Sequence, residues 1–231
     1  AERLDEQVQC YKNLSKTEKK KLACIQAGGK KNDATGKLTG VLLPVNDGNL
    51  KESIIKNGAS TISSAFLFNK KALKEVGGFD ENLVSGIDHD IWMKLAVAGY
   101  KTKALKKTLV KSYVDKNDTM MTNTPQRIKG IQQYIDKWTP VYIDWFGEVE
   151  GKNYAKKYYS NIISTLAGQK LANHQFKDFF QAFNAIYNVV GLNILLLFRS
   201  WKKIMKIYLV ERIPFIRKKV QRRNLMRLNL E

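Results

Sequence analysis

The stretch GGFDENLVSGIDHDIWMKLAVAG, at residues 77–99, decides how this chain folds and how it is interpreted. Gly77 and Gly78 are typical of the left-handed end of a helix. A loop with acidic residues follows, and Asp88 is a good N-cap for a helix over residues 90–98 that ends at the last glycine. The pattern therefore predicts carboxylates at the start of a helix, flanked by glycines.

Around this stretch, strand-like segments alternate with helical ones. Apolar segments predict strands at residues 22–27, 38–45 and 60–68, and in two runs within 100–114. Helical spacing predicts helices at residues 4–13, 50–57 and 70–76. From residue 125 onward the pattern is helical, with helices over 127–138, 141–146 and 154–171.

This alternation defines three regions of the chain. We expect an α/β domain over residues 1–124, a helical region over 125–198, and a basic amphipathic tail over 199–231. The fold class is therefore α/β with a helical C-terminal region.

The chain carries 40 Lys and Arg residues against 21 Asp and Glu residues, a net charge of +19. A surplus of this size implies an anionic partner: a nucleic acid, an anionic lipid or a phosphorylated substrate. The tail over residues 199–231 alone holds 11 basic residues and 2 acidic ones. These basic residues alternate with apolar and aromatic ones, which suits an anionic membrane surface.

The run at residues 179–198 has no charged residue and is long enough to cross a bilayer. Within it, polar or small residues recur at helical spacing on one side: Gln181, Asn184, Asn188 and Gly191. This stripe favours a helix that lies on an apolar surface, either the rest of the protein or a membrane interface. We expect peripheral membrane attachment through 199–231, with soluble helical packing and a true span as the alternatives.

Two cysteines, Cys10 and Cys24, give neither a disulfide framework nor metal-ligand spacing. We expect free thiols in a reducing compartment, and therefore a cytoplasmic protein. The chain opens on AERLDEQVQCY, an amphipathic helix already under way, without a signal peptide. We therefore expect the sequence to begin inside a longer protein.

Two motifs resemble family 2 glycosyltransferases of the GT-A fold. The family's first motif runs from a helix into GGFDE, and it is matched at Ala72, Leu73 and residues 76–81. Its second motif pairs acids with an aromatic residue and a short helix, and it is matched at Asp88, Asp90, Trp92, Leu95, Ala96, Gly99 and Tyr100. The opening ERLDEQV is similar to the helix that follows the family's metal-binding motif. The resemblance covers residues 2–125.

This resemblance implies a partial GT-A half-domain, Rossmann-like, from an enzyme that transfers a sugar from a nucleotide-sugar donor to a glycan or lipid-linked acceptor. It implies a role in cell-surface polysaccharide or glycolipid synthesis, at the cytoplasmic face of a membrane. Asp88 matches the family's catalytic base. Inverting transfer needs one carboxylate to take the acceptor proton, and the helix dipole keeps a first-turn carboxylate ionised. Capping of the helix is a second, compatible role for Asp88.

Four further residues are candidates for substrate binding. His89 and Asp90 lie beside the expected base, and Asp90 also suits a supporting hydrogen bond in the loop. Ser63 and Ser64 lie on the strand predicted before the glycine turn, where a plain strand-surface role is equally consistent. We expect Phe79 to fill the core beneath the loop.

The sequence departs from the family pattern in three places. Ile87 stands where members often have Glu, and Asp115 stands about where many carry His. The nucleotide-binding strands and the Asp-x-Asp metal motif should lie upstream of residue 1, and we assign the Asp88-His89-Asp90 triplet to the base motif instead. A divalent metal, Mg or Mn, is therefore expected for the complete enzyme with ligands outside this chain, and the chain alone is predicted to be inactive.

Two other classes of protein compete with this interpretation. Charge alone favours a basic nucleic-acid-binding protein, but there is no zinc spacing, aromatic RNA-binding motif or helix-turn-helix pattern. We therefore expect no nucleic-acid partner. A non-catalytic scaffold that resembles a glycosyltransferase is the second alternative.

Overall fold

The computed structural model describes residues 2–32, 35–36, 38–58, 63–113, 123–216 and 218–220, and it confirms a mixed α/β class. The described chain forms two compact units. Among the described residues, the first unit holds those of 2–82 and 87–113, and the second holds residues 83–86, 123–216 and 218–220.

Among its described residues, the first unit combines five α-helices with one sheet. Its helices are α1 (Glu2–Asn13), α2 (Lys16–Lys19), α3 (Leu50–Asn57), α4 (Lys70–Glu75) and α5 (Ile87–Val97). Its strands are β1 (Leu22–Asn32), β2 (Leu38–Leu42), β3 (Gly48–Asn49), β4 (Phe66–Phe68) and β5 (Lys101–Tyr113). Helix α3 agrees with its prediction at both ends, because Asn49 caps its start and Gly58 ends it.

Strand β1 is the centre of the sheet. One edge of β1 pairs in parallel with β5, and the other edge pairs antiparallel with β4 and then with β2. Strand β3 adds a short antiparallel pair on the far side of β5. A parallel pair with antiparallel neighbours makes the sheet mixed.

The predicted end of β1 at residue 27 is wrong, because the strand continues through Gly28 and Gly29 to Asn32. The glycines accommodate a register shift against β5, where Ala27 pairs with Leu105 but Gly28 pairs with Thr108. A Cβ atom added at Gly28 would lie 2.8 Å from the carbonyl oxygen of Leu42. Close backbone approach therefore explains this glycine. The two strand runs predicted within 100–114 are also one strand, β5.

Helix α1 forms as predicted, but its apolar face does not pack inward. Leu4, Val8 and Tyr11 are exposed, whereas Gln7 is fully buried. The Gln7 amide donates hydrogen bonds to the carbonyl oxygens of Ile25, at 2.8 Å, and Ala65, at 2.9 Å. A buried amide that holds two backbone carbonyls fixes α1 to the sheet more specifically than apolar contact alone.

Helix α5 supplies much of the first unit's core. Ile91, Trp92, Met93 and Leu95 are fully buried, whereas Ala98, the last residue of the predicted helix, is exposed just beyond the observed one. Gly99 adopts a φ of 72° as the helix ends, as predicted. Because α5 is buried on more than one side, residues on its first turn are held rigidly by the core beneath them.

The described part of the second unit contains helices α6 (Thr124–Phe146), α7 (Glu148–Ala172), α8 (Phe176–Val190) and α9 (Ile194–Arg212). The two helices predicted at 127–138 and 141–146 are one helix that contains Pro140. Helix α7 is central and packs against each of the other three. Close approach at Gly168 allows the crossing with α9, since an added Cβ would lie 2.7 Å from the Cβ of Ile207.

The uncharged run at residues 179–198 is divided between α8 and α9 by a turn that contains Gly191. No helix among the described residues is long and apolar enough to cross a membrane. The predicted polar stripe is confirmed in α8, where Gln181, Asn184 and Asn188 are exposed. Helix α9 runs through the predicted boundary at residue 199 and buries Leu196, Ser200 and Ile204.

Candidate active site at the start of helix α5

The double-glycine turn has the predicted left-handed conformation. Gly77 and Gly78 have φ angles of 77° and 64°. The Gly78 amide donates to the carbonyl of Leu73 at 2.8 Å, and the Gly77 amide donates to that of Lys74 at 3.1 Å. These bonds satisfy carbonyls at the end of α4, and only glycine adopts two consecutive left-handed conformations without strain.

Lys94 connects this turn to helix α5. Its Nζ donates to the carbonyl oxygen of Gly78 at 2.8 Å and lies 3.4 Å from Oδ2 of Asp90. The Lys94 side chain is 17% exposed and that of Asp90 is fully buried. The pair therefore fixes the glycine turn against the helix, a role that our reading of the sequence missed. The four-residue spacing of Asp90 and Lys94 is the signal that predicts such a pair.

Asp88 lies in the first turn of α5 and is not its N-cap. The helix begins at Ile87, earlier than predicted, directly after Gly86 with its φ of 82°. The Asp88 side chain is half-buried, and its Oδ1 accepts a hydrogen bond from the His89 amide at 3.0 Å. A carboxylate in this position lies near the positive end of the helix dipole. It remains accessible enough to accept a proton.

Asp90 and His89 differ in their exposure. Asp90 is fully buried beside Lys94, so substrate cannot reach its carboxylate. This placement corrects the prediction of direct substrate contact and favours the supporting role. His89 is half-buried on the same turn, and its substrate contact stays a prediction.

Ser63 and Ser64 lie in a single turn of 3-10 helix, Ser63–Ala65, so the strand predicted over residues 60–68 is wrong at residues 63–65. Residues 59–62 lie outside the described part of the chain. Ser64 is exposed, and its carbonyl accepts a hydrogen bond from Arg3. The strand β4 that follows contacts α5 through Phe66 and Trp92, whose ring centroids are 5.4 Å apart.

Phe79 does not fill the core as predicted, because its side chain is 49% exposed. Its ring contacts Phe68 edge-on, with centroids 6.2 Å apart. Phe68 contacts Phe66 at 5.2 Å, and Phe66 contacts Trp92. A row of aromatic rings therefore runs from the buried α5 to the surface, and Phe79 is its exposed end.

The Asp88-His89-Asp90 triplet does not fit a metal site. Residues two apart on a helix point about 200° apart, and Asp90 is buried beside an ammonium group. Within the described ranges, no group of three or more His, Cys, Asp or Glu side chains is placed to hold a metal ion. Asp115 lies outside the described residues.

No family model, curated protein or solved structure matches this chain. The function must therefore be argued from the motifs and the geometry. These give one accessible carboxylate, Asp88, on a first turn that is fixed by a buried ion pair and an aromatic row. Such an arrangement suits proton transfer by a single carboxylate.

Proposed function

We propose that the chain is the acceptor side of an inverting glycosyltransferase that resembles family 2 enzymes of the GT-A, Rossmann-like fold. The observation that carries the proposal is the half-buried Asp88 on the first turn of α5, the helix to which Lys94 fixes the glycine turn. The matched motif residues support the proposal, because Gly77 and Gly78 of GGFDE build the turn that Lys94 fixes to the helix of the proposed base.

The sheet also supports this proposal, but less specifically. Strands β1 and β5 are parallel, and the chain between them contains α3, α4 and α5. Parallel strands joined through helices are the unit from which Rossmann-like sheets are built. The antiparallel β2 and β4 would then be additions to that unit.

The proposed reaction needs one proton acceptor. An acceptor hydroxyl of a glycan or lipid-linked glycan attacks the anomeric carbon of a nucleotide-sugar, and the bond to the leaving phosphate oxygen breaks. Asp88 takes the hydroxyl proton, a new glycosidic bond forms with inversion, and the nucleoside diphosphate leaves. A retaining glycosidase, in contrast, needs a nucleophile and an acid placed as a pair.

The donor and the divalent metal belong to the complete enzyme in this proposal. In such an enzyme Mg or Mn would neutralise the donor diphosphate, and its ligands are those that the resemblance places outside this chain. We therefore propose that the chain alone does not transfer sugar. The enzyme would act at the cytoplasmic face of a membrane, in polysaccharide or glycolipid synthesis.

Replacement of the proposed base tests the mechanism. In the protein encoded by the complete gene, Asp88→Asn should lower the rate of sugar transfer by about 10²–10⁴-fold, since the amide cannot accept the proton. The rate is measured with a panel of radiolabelled nucleotide-sugars and membrane-extracted acceptor.

Asp5→Asn is the matched control, because Asp5 is an exposed first-turn acid of helix α1 in the same unit. Both changes remove a favourable helix-dipole interaction of about 0.3–1 kcal/mol, so stability should change alike. Full activity of Asp88→Asn would reject Asp88 as base. Absence of transfer by the unmodified protein would favour the scaffold alternative.

A further inference from the structure

Helix α8 exposes an apolar stripe beside its buried one. Phe176, Phe180, Phe183 and Tyr187 recur at spacings of four, three and four, which places them on one side of the helix. Phe176 is 53% exposed, Phe180 58% and Tyr187 47%. Helix α7 is therefore packed against only part of the apolar surface of α8, and the remaining aromatic rings face outward.

Helix α9 extends the same surface. Leu192, in the turn before α9, and Ile194, its first residue, are each 81% exposed, and Phe198 is 63% exposed. Trp201, 45% exposed, contacts Phe183 of α8 with ring centroids 6.2 Å apart. The two stripes are therefore continuous, and we call this surface the α8–α9 face. Exposed apolar patches of this kind mark interaction sites.

Basic residues run along the α9 side of the face. Arg199, Lys202 and Lys206 are exposed and recur at spacings of three and four, the same period as the apolar residues. Lys203 is different, because its Nζ turns toward α7 and donates to Asn161. A stripe of cations next to a stripe of large apolar side chains is typical of helices that lie in an anionic membrane interface.

A groove of about 320 Å³ opens beside Leu195 and Arg199. The described residues that line it include Lys157, Arg199, Asn153 and Asn193, and one acidic residue, Glu150. Two cations and two amides can hold a phosphate through charge-assisted hydrogen bonds. The groove therefore offers a place for a phospholipid headgroup at the edge of the α8–α9 face.

We propose that the α8–α9 face docks the protein on an anionic lipid bilayer. The apolar residues would enter the interface, and Arg199, Lys202 and Lys206 would meet phosphate headgroups. Charge complementarity selects this occupant over a second copy of the chain, because each copy carries a net charge of +19. The sequence placed membrane attachment in residues 199–231, whereas the exposed surface begins at Phe176. The inference does not depend on sugar transfer.

The apolar part is tested with the double variant Ile194→Ser/Phe198→Ser of the full chain. Both side chains are exposed, so folding should be retained, which helix content by circular dichroism verifies. Cosedimentation with phosphatidylcholine vesicles that contain phosphatidylglycerol should show a loss of affinity of about tenfold or more, since two large apolar groups no longer enter the interface.

Leu4→Ser/Val8→Ser is the matched control, because these residues are 46% and 41% exposed on α1. This control should bind the vesicles as the unmodified chain does. Equal losses in both double variants, or none in either, would overturn the assignment of the docking surface.

The charged part is tested with Arg199→Gln/Lys202→Gln against Lys70→Gln/Lys74→Gln, which removes the same charge from α4. Each cation near an anionic surface contributes about fivefold in affinity. The α9 variant should therefore bind anionic vesicles about 25-fold more weakly, and the α4 control should lose much less. Binding to pure phosphatidylcholine that equals binding to anionic vesicles would contradict the proposal.

Two further outcomes would replace the bilayer with another occupant. A dimer in solution that Ile194→Ser/Phe198→Ser dissociates would assign the face to a second copy. Binding to duplex DNA that is tighter than binding to anionic vesicles at the same salt, and that the α9 charge variant weakens, would assign it to nucleic acid.

A blue shift of Trp201 emission on addition of anionic vesicles, absent in Trp201→Phe, would support docking.

Discussion

Two aspartates that are separated by one residue on α5 have opposite environments. Asp88 is half-buried at the rim of the first turn, and Asp90 is fully buried beside Lys94. The helical rotation of about 100° per residue separates them, so only one of the two carboxylates can meet a substrate. Of the two acids in this motif, Asp88 is therefore the candidate for chemistry and Asp90 is the candidate for positioning.

Lys203 is the lysine of α9 that turns inward. Its Nζ donates to the backbone oxygen of Asn161 at 2.6 Å and to the side-chain oxygen of the same residue. Burial, with the nearby charge of Lys206 as a smaller cause, lowers the pKa of Lys203 to about 8 from 10.5. The charged form is therefore less favourable in the folded protein than in the unfolded chain.

This lowered pKa makes the stability of the second unit depend on pH. Between about pH 8 and 10.5 the unfolded chain binds more protons at Lys203 than the folded one, so the free energy of unfolding rises with pH. This increase in the free energy of unfolding is fully present above pH 10.5 and is lost as the pH falls through about 8. Denaturant titrations at several pH values should show it as a difference between the unmodified chain and Lys203→Met.

Lys202→Met, at the exposed neighbouring position, controls for the loss of one positive charge from α9. If the difference between the unmodified chain and Lys203→Met stays constant from pH 7 to 10, the burial of Lys203 does not control its protonation.

Among the elements, α7 and α9 show how a helix crossing depends on one small residue. Gly168 of α7 meets the Cβ and Cγ2 atoms of Ile207 and the carbonyl of Ile204. A side chain at this position must push the helices apart. Helix propensity would favour alanine over glycine by about 1 kcal/mol, so the close contact and not the local backbone explains the glycine.

Gly168→Val should therefore destabilise the second unit by about 1–3 kcal/mol, the usual cost of an overpacked core contact. Urea denaturation followed by circular dichroism measures the change. Gln169→Val is the control on the next residue of α7, which is exposed, and it should stay within about 0.5 kcal/mol of the unmodified chain. Similar stabilities of both variants would show that α7 and α9 can separate at little cost.

Elements with local end signals could be predicted from the sequence. Helix α3 begins and ends where predicted, and Gly58 marks its end in the sequence. The left-handed turn at Gly77 and Gly78 follows from the glycine pair. Strand β1 was cut short because Gly28 indicates a turn locally, whereas its pairing with β5 extends the strand across it. Such pairing depends on residues far away in the chain.

At the candidate site, the acidic first turn could be predicted but its burial pattern could not. The motif placed Asp88, His89 and Asp90 together, and the structure agrees that they share one turn. The outward position of Phe79 and the inward position of Asp90 depend on the packing of α5 against its neighbours. The sequence likewise could not predict that part of the α8 apolar stripe is exposed, because a hydrophobic pattern does not show how much of it other helices cover.

At the scale of the whole molecule, the excess of 40 basic residues over 21 acidic ones makes the stability of the protein depend on salt concentration. A net charge of +19 repels itself in the compact state, and this repulsion is screened over about 10 Å at 0.1 M salt. Added NaCl from 20 to 300 mM should therefore raise the midpoint of thermal unfolding, measured by calorimetry. KCl at the same ionic strength should give the same rise, and a fall in both salts would mean that specific ion pairs outweigh the net repulsion.

Anionic vesicles, like salt, should raise the midpoint of thermal unfolding. Unlike the effect of salt, the rise caused by vesicles should become smaller when salt is added. Vesicles that bind only the folded protein raise its unfolding midpoint by mass action, and at 20 mM NaCl their negative surface attracts the cations of α9 most strongly. At 300 mM NaCl the attraction is screened, so the additional rise from vesicles should shrink. Ile194→Ser/Phe198→Ser should keep the response to NaCl, which comes from net charge, and lose most of the response to vesicles. Loss of both responses together would show that the α8–α9 face supports the fold itself and is not available for docking.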